Sequence, residues 1–208
     1  STLYVGYNNE NIWTPFHSAA ITGDTRIVEM LVRKFPYAYC FCENFAHLFN
    51  YSPADVALME GLTESARILG GTKTVESCRK TFNVYTPKSN APAYAGDLLK
   101  AILDRDFSLL DKLIDENGEN ILYQPYFNES DRGFYSERTN LNALSLVSRL
   151  FCFSFAEWAK KRNLHIPISE FLERDTKEKV FFNWLMLDLQ PYATGFFKKV
   201  EAEIAQLS

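Results

Sequence analysis

The sequence predicts an all-α fold in which helix–turn–helix repeats stack into a solenoid, with irregular hairpin loops and a helical cap at the C-terminus. Three observations lead to this prediction. Residues 14–31 have the pattern of two short helices joined by a glycine turn, and a second copy of that pattern follows 38 positions later. The last third of the chain has apolar residues at helical spacing. Internal similarity at a fixed period is the signature of repeat architectures.

The first repeat contains a start or stop signal at each expected place. Thr14 can cap a helix whose first position suits Pro15. Gly23 permits the positive φ that ends this helix, and Asp24 can cap the next one. The second helix then has an apolar stripe made of Ile27, Val28 and Leu31.

Later copies are progressively less regular. In the second, Ser52-Pro53 forms the opening and Gly61 stands where Gly23 stood. In the third, a shift of 82 positions sets Asp106 on Asp24, but Arg105 occupies the position of the glycine, so its turn geometry is open. Gly118 or Asn117 is expected to supply the left-handed residue at its end. A fourth copy, from Thr139 to Trp158, is the weakest.

Thr14-Pro15-Phe16-His17-Ser18-Ala19-Ala20, followed by Gly23, resembles the T-P-L-H-x-A-A-x-x-G signature of ankyrin repeats, with Phe16 in place of Leu. The resemblance covers residues 11–70 and 96–118 best. It implies an ankyrin-type α-solenoid whose concave surface, built from hairpin tips and inner helices, binds another protein. It also implies that the His17 ring bonds backbone in the turn and serves structure.

We divide the chain accordingly into four parts. Residues 1–70 hold two ankyrin-like repeats. Residues 71–95 hold an insertion or degenerate repeat, in which Val75 to Phe82 either form one short helix or replace a repeat that has degenerated. Residues 96–165 hold one or two divergent repeats, and residues 166–208 the helical cap. The irregular, aromatic-rich stretch 117–139 is either a contact surface or a hairpin whose aromatic residues cover the side of the solenoid.

Composition narrows the classes of function. The 208 residues have 22 Lys and Arg against 26 Asp and Glu, a net charge of −4, with 47% hydrophobic residues. This mild acidic balance argues against binding to nucleic acid or anionic lipid. No apolar run approaches the roughly 20 residues of a membrane span. No signal peptide is visible, although the chain begins with Ser, so a segment could precede it. The four cysteines fit a reducing compartment.

The predicted function is a non-catalytic protein–protein interaction module in the cytoplasm. Irregular repeats with a helical tail resemble the ankyrin proteins that bacteria and viruses direct at host factors, in which case the location is the host cytoplasm. We expect contacts with the partner protein from aromatic and polar residues near the hairpin tips and in the irregular stretch: Tyr7, Asn9, Trp13, Phe45, Phe49, Tyr51, Tyr123, Tyr126, Phe127 and Tyr135.

No motif indicates catalysis, and we predict no catalytic residue, cofactor or metal. Cys40, Cys42 and His47 resemble half of a metal site, but no second close pair completes four ligands, which favours plain packing. Metal binding at these three residues is kept as an alternative. A further alternative is that the chain is a fragment of a larger enzyme whose ankyrin-like part recruits substrate.

Overall fold

The computed structural model describes residues 15–36, 51–129, 138–164 and 166, with only the backbone for residues 138 and 139. Of these residues 61% are helical, so the prediction of a mainly helical fold is confirmed. The predicted cap at 166–208 lies outside the described residues, apart from the buried Ile166.

The helices in chain order are α1 (Pro15–Ala20), α2 (Thr25–Lys34), α3 (Pro53–Met59), α4 (Thr63–Ile68), α5 (Val75–Phe82), α6 (Ala95–Asp104), α7 (Phe107–Asn117), a 3-10 helix (Glu119–Leu122), α8 (Ala143–Arg149) and α9 (Ser154–Arg162). The strands are β1 (Tyr85–Pro87), β2 (Phe127–Glu129) and β3 (Arg138–Leu141). Of the two alternatives that the sequence left for Val75–Phe82, the structure shows the short helix, α5.

Eight of these helices form four helical hairpins, each turning at a residue with left-handed backbone. The first hairpin (α1–α2) turns at Gly23, with φ +72°, and the second (α3–α4) at Gly61, with φ +76°. The third (α6–α7) turns at Arg105, with φ +57°, and the fourth (α8–α9) at Phe151, with φ +47°. The turn geometry that the sequence left open at Arg105 is therefore the same as at the glycines, although a side chain makes it costlier.

Side-chain caps begin one helix in each hairpin, as the sequence predicted for Asp24. The carboxylate or amide oxygens of Asp24, Asp106 and Asn142 and the hydroxyl of Ser52 accept hydrogen bonds of 2.9–3.1 Å from backbone N–H groups two or three residues later. Such caps satisfy N–H groups that a helix start otherwise leaves without partners. Thr14, the predicted cap of α1, lies outside the described residues.

The first hairpin packs on the second, and the third packs on the fourth, with equivalent helices side by side. Helix α1 packs on α3 and α2 packs on α4, while α6 packs on α8. Between the third and fourth hairpins, the rings of Phe107 on α7 and Trp158 on α9 stack with centroids 5.8 Å apart. The Trp158 indole N–H also donates to Asp111 at 3.0 Å. This arrangement is the one expected of repeats that bury a shared core by stacking.

The sequence did not predict the small antiparallel sheet, which has the order β1-β2-β3. Strand β1 comes from the 71–95 insertion, β2 lies in the middle of the irregular 117–139 stretch, and β3 begins at the end of that stretch. Phe127 pairs with Leu141 and Glu129 with Arg138, so β3 has one extra residue, and Asn140 adopts a φ of +72° at this irregularity. The hairpin interpretation of the irregular stretch thus fits its second half, where β2 and β3 pair as antiparallel strands.

Replacing Gly23 with valine is expected to lower the free energy of unfolding by about 1–2 kcal/mol, because L-residues disfavour the left-handed region. A Cβ there would meet only Leu62, at an ordinary 3.8 Å, so the cost comes from the backbone rather than from a clash. Urea unfolding measures it. Gly96→Ala, in an open helical position, serves as control and is expected to stabilise the protein. An unchanged midpoint for Gly23→Val would contradict the left-handed turn.

Candidate functional site

Four of the ten predicted contact residues lie among the described residues, namely Tyr51, Tyr123, Tyr126 and Phe127. The other six, for which the prediction stands as made, lie outside them: Tyr7, Asn9, Trp13, Phe45, Phe49 and Tyr135.

The structure corrects the prediction for Tyr51, whose side chain lies in the core. Its ring stacks on Phe82 with centroids 3.8 Å apart and meets the edge of Phe151 at 4.9 Å. Its hydroxyl donates to the carbonyl oxygen of Arg149 at 3.2 Å. Only 7% of the residue is exposed, and burial raises the pKa of its hydroxyl well above the ordinary value. Tyr51 therefore joins α5 to the fourth hairpin and offers no exposed ring to a partner.

Phe127 requires the same correction. It is fully buried on β2, where the sheet turns its side chain toward the helices. The sequence could not show this, because the alternation of buried and exposed positions along a three-residue strand is too short to read.

Tyr123 and Tyr126 are half-buried and keep part of their surface available. The hydroxyls of Tyr126 and Tyr94 share a hydrogen bond of 2.9 Å, and the two rings meet edge to face with centroids 5.9 Å apart. Burial, and then the bond to Tyr94, raises the pKa of Tyr126 to about 12. This pair of tyrosines remains a candidate contact, since an anchored aromatic ring loses little freedom on binding.

The inner helices of two hairpins are not exposed. Every residue of α3 and of α8 is buried, and α3 is covered on different sides by α1, α4 and α5. The part of the prediction that placed partner contacts on inner helices is therefore corrected for the second and fourth hairpins. Helix α3 is buried partly because of the 71–95 insertion, since α5 of that insertion covers one side of α3.

The sequence missed an exposed apolar pair on α2. Ile27 is 37% exposed and Met30 is 59% exposed, and these are the exposed large apolar side chains of the described residues. The sequence assigned Ile27 to the buried stripe with Val28 and Leu31. The structure buries Val28 completely and leaves Ile27 at the edge of that stripe. One signal in the sequence could have indicated this exposed face. Met30 lies about one helical turn after Ile27 and on the opposite side of the helix from Val28.

His17 is a buried structural group. Its Nε2 lies 3.0 Å from the carbonyl oxygen of Tyr51, so the ring N–H donates to the chain just before the second hairpin. The expected bond from His17 to backbone is present, and it links the first hairpin to the second. Burial lowers the pKa of His17 to about 4, against 6.5 for an unperturbed histidine.

The buried His17 makes the protein sensitive to acid. The folded state holds the ring neutral, so its contribution is complete above pH 6.5 and is lost as the pH falls from there toward 4. The gap in pKa corresponds to about 3 kcal/mol. Urea unfolding at both ends of this range is expected to show that loss for the native chain and not for His17→Gln, which retains an N–H donor. Equal losses in the two proteins would contradict a buried neutral ring.

A second polar cluster surrounds the start of α3. The Asp55 carboxylate accepts from the Ser52 backbone N–H at 3.2 Å and from the Lys73 ammonium at 2.9 Å. The Cys78 thiol lies against it, with Sγ 3.6 Å from the Asp55 carbonyl oxygen. Burial, with the Asp55 charge second, raises the pKa of Cys78 to about 12. A thiol held protonated in this way is a poor nucleophile, so the cluster caps and anchors a helix.

The third cluster, which we call the turn clamp, consists of Glu60, Arg79 and Arg105. The Glu60 carboxylate lies 3.4 Å from the Arg105 guanidinium, and their side chains are only 8% and 6% exposed. Arg79 donates to the carbonyl oxygens of Met59 and Asp104 at 3.1 Å each. The clamp therefore joins the turn of the second hairpin to that of the third.

The clamp also reaches the fourth hairpin. Arg105 donates to the Leu150 carbonyl oxygen at 2.7 Å, and Glu60 accepts from the Phe153 backbone N–H at 2.9 Å. Cys152, between these two residues, has its pKa raised to about 11 by burial. The two guanidinium groups and the carboxylate of the clamp find hydrogen-bond partners inside the protein, and they hold three turns together.

Among the described residues, no three His, Cys, Asp or Glu side chains are grouped in a way that suits a metal ion. Cys40, Cys42 and His47 lie outside those residues, so the alternative of a metal site there stands as a hypothesis. The helices within the described ranges include none with the length and apolar character needed to cross a membrane.

Comparison of the chain with known protein families, with curated proteins and with solved structures gave no match in any of the three. The function is therefore argued from the residues themselves.

Proposed function

We propose that the chain is a non-catalytic module that binds another protein, built from divergent ankyrin repeats. The observation that carries this proposal is the stacking of helical hairpins, in which α1 packs on α3, α2 on α4 and α6 on α8. Scaffolds of this kind present an extended surface rather than a closed pocket. The resemblance of residues 14–23 to an ankyrin signature supports the same function.

The rigidity of the scaffold also supports binding. The turn clamp fixes three consecutive turns relative to one another, and His17 ties the first hairpin to the second. A surface that is rigid before binding loses less conformational entropy when a partner docks. The buried titratable groups of the described residues are thereby used to hold the scaffold together.

The proposed binding surface is narrower than the sequence suggested. It comprises the half-buried Tyr123 and Tyr126, together with the predicted tip residues outside the described ranges, of which Trp13 is the largest. We propose a cytoplasmic location, which is supported by Cys78 and Cys152, two thiols that are not oxidised to disulfides.

Direct binding tests this function. Proteins captured from cell extract on the full chain are purified and titrated against it by calorimetry. We expect the paired substitution Trp13→Ala and Tyr126→Ala to weaken the complex by about tenfold or more, since aromatic residues dominate binding energy at interfaces. Trp13→Phe with Tyr126→Phe is the matched control. A chain that binds no purified protein, or that turns over a substrate, would overturn the proposal.

A further inference from the structure

Met30 lies at the centre of the solvent-facing side of α2. On a helix the neighbours of a residue are those three and four positions away. For Met30 these are Arg26 and Ile27 on one side and Arg33 and Lys34 on the other. An apolar centre, 59% exposed, is thus flanked by a second apolar residue and by three cations.

This face is positively charged on an acidic chain. Helix α2 has three cations and one anion, Glu29, whereas the whole chain has a net charge of −4. Arg26 is already paired with Asp24 at 2.7 Å. The exposed Arg33 and Lys34 follow Met30 in the last turn of the helix, and Lys34 lies 5.8 Å from the centre of the Phe35 ring.

Within the described residues, the core packing of α2 uses its other side. The residues of α2 that pack inward are Val28, which is fully buried, and the half-buried Leu31, Val32 and Phe35. Methionine is unbranched and adapts its shape to different partners, so it suits a docking surface as well as a core. The exposed Met30, beside Ile27 and the cations, gives this side of α2 the composition of a docking surface.

We infer that this face of α2, made of Arg26, Ile27, Met30, Arg33 and Lys34, docks an acidic amphipathic segment of a partner protein; the inference rests on the proposed function. An apolar side chain of the segment packs on Met30 and Ile27. Its carboxylates meet Arg33 and Lys34, where a guanidinium offers paired N–H donors. Charge complementarity selects this partner, because a basic face repels basic and favours acidic segments.

Two other occupants fit the face less well. In a two-fold dimer the same patch meets itself, which would bring its cations together. A membrane-surface helix needs a broad apolar face, and α2 exposes two apolar side chains while using the rest in the core. A second copy of the chain and an anionic membrane are nevertheless separate outcomes of the test.

The test uses a random library of displayed peptides selected on the full chain. We expect the enriched peptides to have net negative charge and apolar residues three or four positions apart. The chosen peptides are then synthesised with a fluorophore and titrated by anisotropy. Their affinity is expected to fall as salt is added, because the charges involved are exposed.

Four variants assign the binding site. Met30→Ser and the double variant Arg33→Glu/Lys34→Glu are each expected to weaken binding by about tenfold, as at interface hot spots. Met30→Leu keeps an apolar centre and is expected to bind normally. The double variant Lys80→Glu/Lys112→Glu makes the same change in net charge at exposed sites on α5 and α7 and is expected to change affinity less than twofold. Thermal midpoints verify that each variant is folded.

Several results would overturn the inference. Enrichment of neutral or basic peptides, no enrichment, or equal binding to Met30→Ser would each do so. The inference would also be overturned if light scattering showed a dimer, or if the chain bound vesicles rich in phosphatidylserine, and Met30→Ser abolished that dimer or that binding. If a purified partner protein binds the chain and Met30→Ser does not weaken it, the proposed function stands and this assignment alone fails. If neither peptides nor proteins bind, both fail.

Discussion

The Arg105→Leu variant is expected to lose about 3–5 kcal/mol of unfolding free energy, the cost of leaving a buried charge without its partner. The reason is the position of Glu60, whose side chain is 8% exposed and whose carboxylate then keeps only the N–H of Phe153. Leucine also cannot donate to the Leu150 carbonyl oxygen, so the fourth hairpin loses one of its contacts with the third. Arginine and leucine both have a Cβ, so the cost of the left-handed backbone at position 105 is similar in the native chain and in the variant.

Urea unfolding of three further variants separates these effects. Arg105→Gly relieves the backbone cost of about 1–2 kcal/mol and is expected to be less destabilised than Arg105→Leu. The double variant Glu60→Gln/Arg105→Leu removes the unpaired charge and is expected to recover part of the loss. Glu60→Gln alone keeps a group that accepts from Phe153. If Arg105→Gly were more stable than the native chain by the full backbone gain, the turn clamp would have no role in holding the hairpins together.

Tyr51→Ala is expected to lower the free energy of unfolding by about 3–5 kcal/mol, as for other large aromatic residues removed from a core. The ring fills the space between Phe82 of α5 and Phe151 at the fourth turn. Its loss would leave a cavity where the insertion meets the last described hairpin. It would also leave Phe151 in its left-handed conformation with less packing to hold it there.

Tyr51→Phe is the matched control for this prediction. It keeps the ring and removes only the hydroxyl that donates to the Arg149 carbonyl oxygen, so we expect a loss of about 1 kcal/mol. Denaturant unfolding of both variants gives the comparison. A Tyr51→Ala protein of native stability would show that the side chain is exposed, as the sequence alone suggested.

Local signals in the sequence were sufficient for the helical hairpins. Gly23 and Asp24 identified the end of one helix and the start of the next, and both have the predicted roles. Helix α5 spans Val75–Phe82, the segment for which the sequence offered one short helix as one of two alternatives. The backbone geometry of the third turn could not be predicted, because Arg105 stands where the first two repeats have a glycine. It is left-handed because buried contacts to Glu60 and Leu150 offset the backbone cost, and these partners are 45 positions away on either side.

Long-range packing accounts for what the sequence did not show. Strands β1 and β2 have three residues each and lie 40 positions apart, so no local pattern indicates their pairing. The same limit applies to contacts with a partner. Aromatic residues were chosen as contacts by their type, but Tyr51 and Phe127 are core residues because other segments cover them. The exposure of Met30 depends likewise on which face of α2 the second hairpin covers.

The stacking of equivalent helices is tested most directly by nuclear Overhauser effects from Trp158. With selectively labelled tryptophan and phenylalanine, we predict cross-peaks between the indole ring of Trp158 and the ring of Phe107, whose centroids lie 5.8 Å apart. The indole N–H is predicted to shift in Asp111→Ala, which removes its acceptor. A Phe107→Leu variant assigns the cross-peaks. Their absence, with Trp158 in contact with no residue of α7, would contradict the stacked-hairpin architecture.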